Sequence, residues 1–440
     1  MLEKGNKKLI NSWAFYDWAN SVYSLVISTA VFPIYYETVT QTDSGLVTFL
    51  GKQFINTSLY SYALSFSFLV VAFISPLLSG IADYVGNKKT YMKIFCYLGA
   101  TSVMMLFFFK GIETLWIGIT FSVLASIGFW GSLVFYNAYL PEVAYYDQQD
   151  KVSARGFIFG YTGSVILLIF NLSMVLKPEF YGISDSTLPA RISFLTVGVW
   201  WMSFAQYTFK NLPYNVFNKK PQKSYLFKGY QELKKVLREF QDQPVLLNFL
   251  ISFFLYSVGV QTIILTATIF GKSELGLPTS CLIVTIILIQ LVGIVGAYLF
   301  AKLSDRIGNI TTLKITIIIW GVASALAYTL EKEDPDVNIK YQALGMLIGL
   351  VLGAIQTLSR STYSKLLPEE TQDHTTYFSF FDVTEKLAIV WGTFIFGIVI
   401  AITESMKMSI LLLSLFFFIS FIVLSFIKKS SFNDNRIRLK

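Results

Sequence analysis

Three groups of polar side chains stand inside stretches otherwise apolar enough to cross a membrane. Asp17 and Asn20 lie one helical turn apart in Trp13-Ala-Phe-Tyr-Asp17-Trp-Ala-Asn20. Gln356 and Arg360 are four residues apart, with Tyr363 following. Asp382, Glu385 and Lys386 have i, i+3 and i, i+4 spacing, which puts all three on one flank of a helix. A charge inside the bilayer costs about 2.5–3.5 kcal/mol on insertion scales, so each is a functional candidate. A carboxylate in apolar surroundings is suited to take up and release a coupling proton, and Asp17 or Asp382 is the candidate for that role. Arg360 or Lys386 would then pair with that carboxylate or with a carboxylate on a solute. The competing reading is an inner-leaflet residue that snorkels or pairs structurally, and it weighs most for Glu385 and Lys386. The mid-span amides Asn137, Gln261, Gln290 and Gln356 could line a cavity or bond helix to helix. Tyr23 and Trp130 could stack on a solute.

These residues need membrane helices to hold them, and the composition supplies them. Of 440 residues 54% are hydrophobic and 14% charged, against about a quarter charged in soluble domains. Aromatic residues reach 17%, which suits lipid-facing packing and interfacial belts. A spanning helix needs about 20 apolar residues. Such runs lie near 15–37, 57–82, 91–110, 114–140, 155–176 and 189–211, and again near 246–270, 279–303, 311–330, 342–366, 377–402 and 407–427. The expectation is an all-α membrane protein of 12 transmembrane helices in two six-helix bundles. The division runs 1–211, a linker 212–244, and 245–440.

Counted loop by loop, 27 of the 35 Lys and Arg fall on the side of the N-terminus and 8, among them Lys52, Lys272 and Lys407, on the other. By the positive-inside rule both termini are cytoplasmic. The same asymmetry explains the net charge of +8 without nucleic acid. Lys4, Lys7 and Lys8 precede a run too long for a signal-peptide core, so the first span is read as retained. Within the linker Leu226, Tyr230, Leu233, Leu237 and Phe240 recur at helical spacing, with Lys228, Lys234, Lys235 and Arg238 on other faces. That predicts an amphipathic helix on the cytoplasmic membrane surface, serving as a spacer. Cys96 and Cys281 sit in apolar runs as small hydrophobes. With His374 the only histidine, no metal site and no cofactor are expected.

The halves echo one another. Ser79-Gly-Ile-Ala-Asp83-Tyr-Val-Gly86-Asn-Lys88 corresponds to Ala301-Lys-Leu-Ser-Asp305-Arg306-Ile-Gly308-Asn at an offset of 222 residues, near half the chain. Tyr136…Leu140-Pro141-Glu142 corresponds to Tyr363…Leu367-Pro368-Glu369. Parallel six-helix repeats are a transporter architecture. In each short turn the Gly supplies backbone freedom, and the Asp can pair with cations or a helix N-terminus. Asp83, Gly86, Lys88, Asp305, Arg306 and Gly308 are therefore candidates for a conformational latch. Gly293-x-x-Gly296 and Gly345…Gly349…Gly353 suit close helix packing.

At these turns the chain resembles the major facilitator superfamily, whose signature there is G-x-L-A-D-R-x-G-R-K. Ala82, Asp83, Gly86 and Lys88 fit the first copy, where Ser79, Tyr84 and Asn87 depart from it. Asp305, Arg306 and Gly308 fit the second, with Ala301 at the Gly position. Further segments are similar to the UMF (unknown major facilitator) branch: Tyr16-Asp17-Trp18-Ala19-Asn20-Ser21, Ala30-Val31-Phe32-Pro33, Tyr136 to Glu142, Ser359-Arg360-Ser361 and Tyr377 to Lys386. That branch is similar to fungal autophagy-related vacuolar effluxers, which export amino acids. The resemblance implies a major facilitator fold and a secondary transporter of a small organic solute, an amino acid or similar, working by alternating access. A proton or sodium would be the coupling ion, and a monomer in a bacterial cytoplasmic membrane is expected. No P-loop is present, and one histidine gives an enzyme little to work with. A lipid flippase or a non-transporting sensor on the same fold is the alternative.

Overall fold

The computed structural model describes residues 3–214, 225–368 and 371–427. Apolar runs in lipid must satisfy their backbone groups internally, and they do so as helices. In chain order these are α1 (Lys7–Val22), a π-helical segment (Tyr23–Val31), α2 (Phe32–Thr40), α3 (Asn56–Val85), α4 (Lys88–Met105), α5 (Leu115–Asn137), α6 (Leu140–Val143), α7 (Gln149–Leu176) and α8 (Leu188–Asn211). Then follow α9 (Tyr225–Gln241), α10 (Pro244–Ile269), a second π segment (Phe270–Glu274), α11 (Thr279–Ile307), α12 (Asn309–Tyr328), α13 (Val337–Leu366), α14 (His374–Thr403) and α15 (Met406–Ser425). Between α2 and α3 a hairpin pairs β1 (Leu46–Phe49) antiparallel with β2 (Lys52–Ile55), Leu46 facing Ile55. The two residues between the strands, Leu50 and Gly51, both have positive φ, as a type I′ turn requires.

Among the described residues eleven helical stretches are long and apolar enough to cross a membrane. The twelfth of the fold is α8, 24 residues long, which carries Arg191 near its start and Lys210 in its last turn. Its buried face, with Phe194, Val197, Trp201 and Ala205, packs on α1 and α4.

Two compact units form. The first comprises residues 1–139 and 159–230. In it α1 packs on α8, α4 on α5 and α8, and α3 on α5. The second comprises 140–158 and 231–440. In it α11 packs on α13, α12 on α13 and α15, and α10 on α14 and α15. The sequence division puts 140–158 with the first bundle, whereas that segment packs into the second unit. Its Ala154, Phe157 and Ile158 lie against Ala297 and Ala301 of α11.

The glycines of α11 and α13 allow backbone contact. A Cβ at Gly296 would stand 1.9 Å from the Leu350 carbonyl oxygen, and one at Gly353 would stand 2.1 Å from that of Gly293. The amphipathic linker helix forms, but its buried face is seated on protein. Val236 is fully buried, and Phe240 meets Tyr377 and Phe380 edge-on at 5.4 and 5.2 Å. The side chains of Leu226, Lys228 and Tyr230 lie outside the described residues, as does Glu369 of the second echo.

Candidate functional site

In the second unit, α14 begins at His374, so Asp382, Glu385 and Lys386 fall in its third and fourth turns, on the side where α10 packs. Lys386, 1% exposed, donates to Asp382 Oδ1 at 2.8 Å and to Glu385 Oε2 at 3.2 Å. From α10, Gln261 donates to Glu385 Oε1 at 2.8 Å. Among the described residues Asp382 Oδ2 is buried and has no hydrogen-bond partner. Five turns of apolar helix follow Lys386, so this cluster stands in a membrane-spanning segment and holds two carboxylates to one ammonium. Buried polar groups are normally paired, and an orphaned carboxylate oxygen beside an ion pair marks a place for a proton or an incoming N–H.

Arg360 does not join this cluster. Its Nε donates to Ser153 Oγ at 3.0 Å and one terminal nitrogen to the Ser153 carbonyl oxygen at 2.8 Å, with the guanidinium over the Phe157 ring. The pairing expected of either cation with a carboxylate is therefore made by Lys386, while Arg360 holds the start of α7. Gln356 lies one turn away on α13 and is half-buried.

In the first unit, Asp17 is 4% exposed and accepts from the Tyr136 hydroxyl at 2.8 Å. The Tyr136 ring stacks on Trp13 at 4.6 Å, and the Trp13 indole donates to the Tyr136 carbonyl oxygen at 2.9 Å. Gly160 of α7 makes room here, since a Cβ would meet Ser21 Oγ at 2.5 Å and Asp17 Cβ at 3.4 Å. One turn on, Asn20 is buried and its Nδ2 has no partner among the described residues. Tyr23 opens the π segment, stacks near Phe129 and Trp201, and lines a small cavity with Ser28, Tyr60 and Ser122. Asn137, the last residue of α5, is half-buried beside Tyr136. Tyr136 enters the sequence reading as half of a repeat echo and as part of a segment of the family resemblance, with no role of its own, yet it is a side chain that holds Asp17. Its echo Tyr363 is likewise fully buried, donating to the Tyr377 carbonyl oxygen at 2.6 Å.

The two Asp-x-x-Gly turns differ. In the first, Asp83 is buried, Gly86 takes the left-handed conformation that ends α3, and Lys88 lies over the Tyr139 ring. In the second, Gly308 has φ 90°, and Asp305 pairs with Lys151 of α7 at 2.8 Å while both stay partly exposed. Arg306 is exposed. Beside this turn lies a cluster that sequence reasoning missed. Asp150, 1% exposed, accepts from Lys365 at 2.6 Å, Ser304 at 2.8 Å and Asn309 at 2.7 Å. Asn309 is the second-copy counterpart of Asn87, which is the signal that could have found it.

The family model described as "Vacuole effluxer Atg22 like" matches residues 5–433. The chain belongs to this family. Its Atg22-like relatives include the "Uncharacterized MFS-type transporter YxiO" of Bacillus subtilis (strain 168), 31% identical over 96% of both chains. Another is "Autophagy-related protein 22" of Kluyveromyces lactis, 25% identical over 84% of this chain and 80% of that one. Among solved structures the fold matches the major facilitator transporter FucP, with a TM-score of 0.66 and 12% identity over 96% and 98% of the two chains. It also matches the proton:xylose symporter XylE, with a TM-score of 0.67 and 14% identity over 96% and 95%. The Atg22-like chain is a multi-pass integral membrane protein, a major facilitator transporter and no enzyme.

Proposed function

We propose that this chain is a secondary active transporter of a small organic solute, an amino acid or similar, working by alternating access and coupled to protons. The observation that carries the reading is the cluster of Asp382, Glu385 and Lys386 with its bonded Gln261, set in membrane-spanning helices. Membrane interiors hold ionisable groups rarely, and when they do the groups mark ion and substrate pathways. Asp382 serves as the proton carrier in this reading, and Asp17, held by Tyr136, is the second carboxylate. The effluxer description of the family supports a transported solute, and the amino-acid kind is what the resemblance to fungal vacuolar effluxers implies. The basic bias of one side supports cytoplasmic termini, and the reading takes the chain to act as a monomer in a bacterial cytoplasmic membrane.

Opening and closing would turn on the groups at the Asp-x-x-Gly end. In the second unit Arg360 grips Ser153, Lys365 grips Asp150, and Lys151 pairs with Asp305. These contacts hold the 140–158 segment in one state, and their release would accompany the other.

The test is flux in proteoliposomes carrying an imposed proton gradient, scored over amino acids, amines, sugars and nucleosides. Wild-type protein is expected to accelerate at least one of them with the gradient. Asp382→Asn should lose the gradient's effect on flux of that solute. If Asp382→Asn responds to the gradient as wild type does, Asp382 is not the coupling site, and Asp17→Asn tested alongside decides for or against the second carboxylate.

A further inference from the structure

The charge count at α14 constrains the solute. Asp382 and Glu385 bring two negative charges, and Lys386 one positive. Among the described residues of the second unit, the helices that neighbour α14 do not supply the missing cation. On α10 the only titratable side chain is Tyr256, whose hydroxyl pairs with Ser359 Oγ at 2.6 Å. On α15 it is Lys407, in the first turn, beside the far end of α14 from Asp382. On α13, Arg360 is taken by Ser153 and Phe157, Lys365 by Asp150, and Tyr363 donates to the Tyr377 carbonyl. Of the described charges of α9, Lys235 goes to Asp373 and Glu239 to Tyr377, while Lys234 and Arg238 are exposed. On α14 itself, His374 pairs with Glu142 near its first turn. The cluster therefore carries an unbalanced negative charge in a low-dielectric setting, which is strongly unfavourable unless a further cation neutralises it.

We infer that the neutralising group is exchangeable: Asp382 holds either a proton or the ammonium group of the solute, and the transporter trades one for the other. The place is specific. Lys386 occupies Oδ1 of Asp382, Gln261 and Lys386 occupy the two oxygens of Glu385, and only Oδ2 of Asp382 is buried without a donor. A proton bound there makes the cluster neutral. An ammonium donating an N–H there does the same, and the two cannot share one lone pair at once. On binding, the carboxyl O–H breaks, its proton passes to water, and the carboxylate accepts the solute's N–H; on release the steps reverse. One proton leaves for each ammonium bound. With a monovalent amine the occupied forms have equal charge and the exchange is electroneutral. A zwitterion such as norvaline brings its own carboxylate and leaves the occupied cluster one negative charge, which is why the simple amine binds more tightly. Lys386 already has two carboxylate partners, so a carboxylate on the solute would find its positive charge engaged. The cluster thus prefers an ammonium-bearing solute to an anion of the same skeleton.

The inference rests on the transporter reading above, and the experiment separates the two. Purified full-length protein in detergent, weakly buffered with a pH-indicator dye, is titrated with pentylamine, norvaline and pentanoate at matched pH, with tryptophan fluorescence reporting binding. Pentylamine and norvaline are expected to bind and to release close to one proton each. Pentylamine should be the tighter, pentanoate should not bind, and the amines should bind up to tenfold more weakly for each unit of acidification. Asp382→Asn should lose proton release, and Asp382→Glu should restore it, which guards against simple misfolding of the first variant. Preferred binding of pentanoate, amine binding without proton release, or absence of binding by both amines overturns the exchange. Any of those outcomes together with gradient-driven flux in proteoliposomes leaves the transporter reading standing, whereas no gradient-driven flux of any solute removes that reading itself.

Discussion

At the residue scale, the buried pair of Asp150 and Lys365 carries the sharpest expectation for stability. Asp150 is 1% exposed and Lys365 is 8% exposed, and Ser304 and Asn309 complete the carboxylate's shell. Removing one partner of such a pair leaves a buried charge uncompensated, at a cost of about 3–5 kcal/mol, while replacing both partners can be close to neutral. Lys365→Met should therefore lower the melting temperature in detergent markedly, and Lys365→Met with Asp150→Asn should recover most of the loss. A double variant as unstable as the single one would show that the pair does not account for the burial. Asp17 and Asp382 are legible in the sequence because a carboxylate inside an apolar run has no ordinary explanation. Asp150 is not legible, because it stands in a polar segment between two spans and reads as solvated. Its burial is made by Lys365, 215 residues away, and local pattern carries no information about such a partner. The same holds for Arg360, whose place in an apolar helix is readable but whose partner Ser153 is not.

At the element scale, helical spans follow from apolar runs, and their boundaries fall close to those read from the sequence. What the pattern does not distinguish is the kind of helix. Tyr23–Val31 winds as a π segment in the middle of the first span and Phe270–Glu274 as one at the end of the seventh, and the apolar periodicity of so short a stretch is too similar to an α-helix to reveal it. Local pattern does find the glycine stripe, and the geometry gives its reason. At Gly349 a Cβ would stand 2.4 Å from the Ile289 carbonyl oxygen, and at Gly353 it would stand 2.1 Å from that of Gly293. Both neighbours are backbone, so no side-chain rotation relieves the clash. Gly353→Val should separate α11 from α13 and destabilise the second unit by about 1–3 kcal/mol, the range typical of overpacking. Gly397→Val, where nothing lies within 4 Å of the new Cβ, is the matched control and should leave the melting temperature nearly unchanged. Equal melting temperatures for the two variants would mean that the α11–α13 contact tolerates a wider spacing than the structure has. The amphipathic linker shows the opposite limit of pattern reading. Of its predicted apolar stripe, Phe240 meets Tyr377 and Phe380 of α14 whereas Leu237 is 48% exposed, and an apolar stripe fits protein and lipid equally well.

At the scale of the whole molecule, twelve helices in two units follow from counting spans and from two echoes at near half-chain offset, and the fold agrees with known major facilitator structures. The grouping of 140–158 with the second unit does not follow from such counting, since a chain segment is assigned to its sequence neighbours until long-range contacts are known. Orientation rests on the distribution of Lys and Arg, and it can be tested directly because both native cysteines, Cys96 and Cys281, are buried. Their thiols should react slowly with a membrane-impermeant maleimide, leaving a low background for introduced cysteines. Lys7, Lys52 and Glu333 are exposed positions outside the membrane-spanning cores, at the start of α1, in the β1–β2 hairpin and in the turn between α12 and α13. With cytoplasmic termini, Lys52→Cys and Glu333→Cys should be labelled on intact cells, and Lys7→Cys only after the membrane is permeabilised. Labelling of Lys7→Cys alone on intact cells would invert the topology. It would also put the Asp-x-x-Gly turns, and with them the Asp150–Lys365 and Arg360–Ser153 contacts, on the outer side, so that the opening proposed to turn on them would be at the opposite mouth.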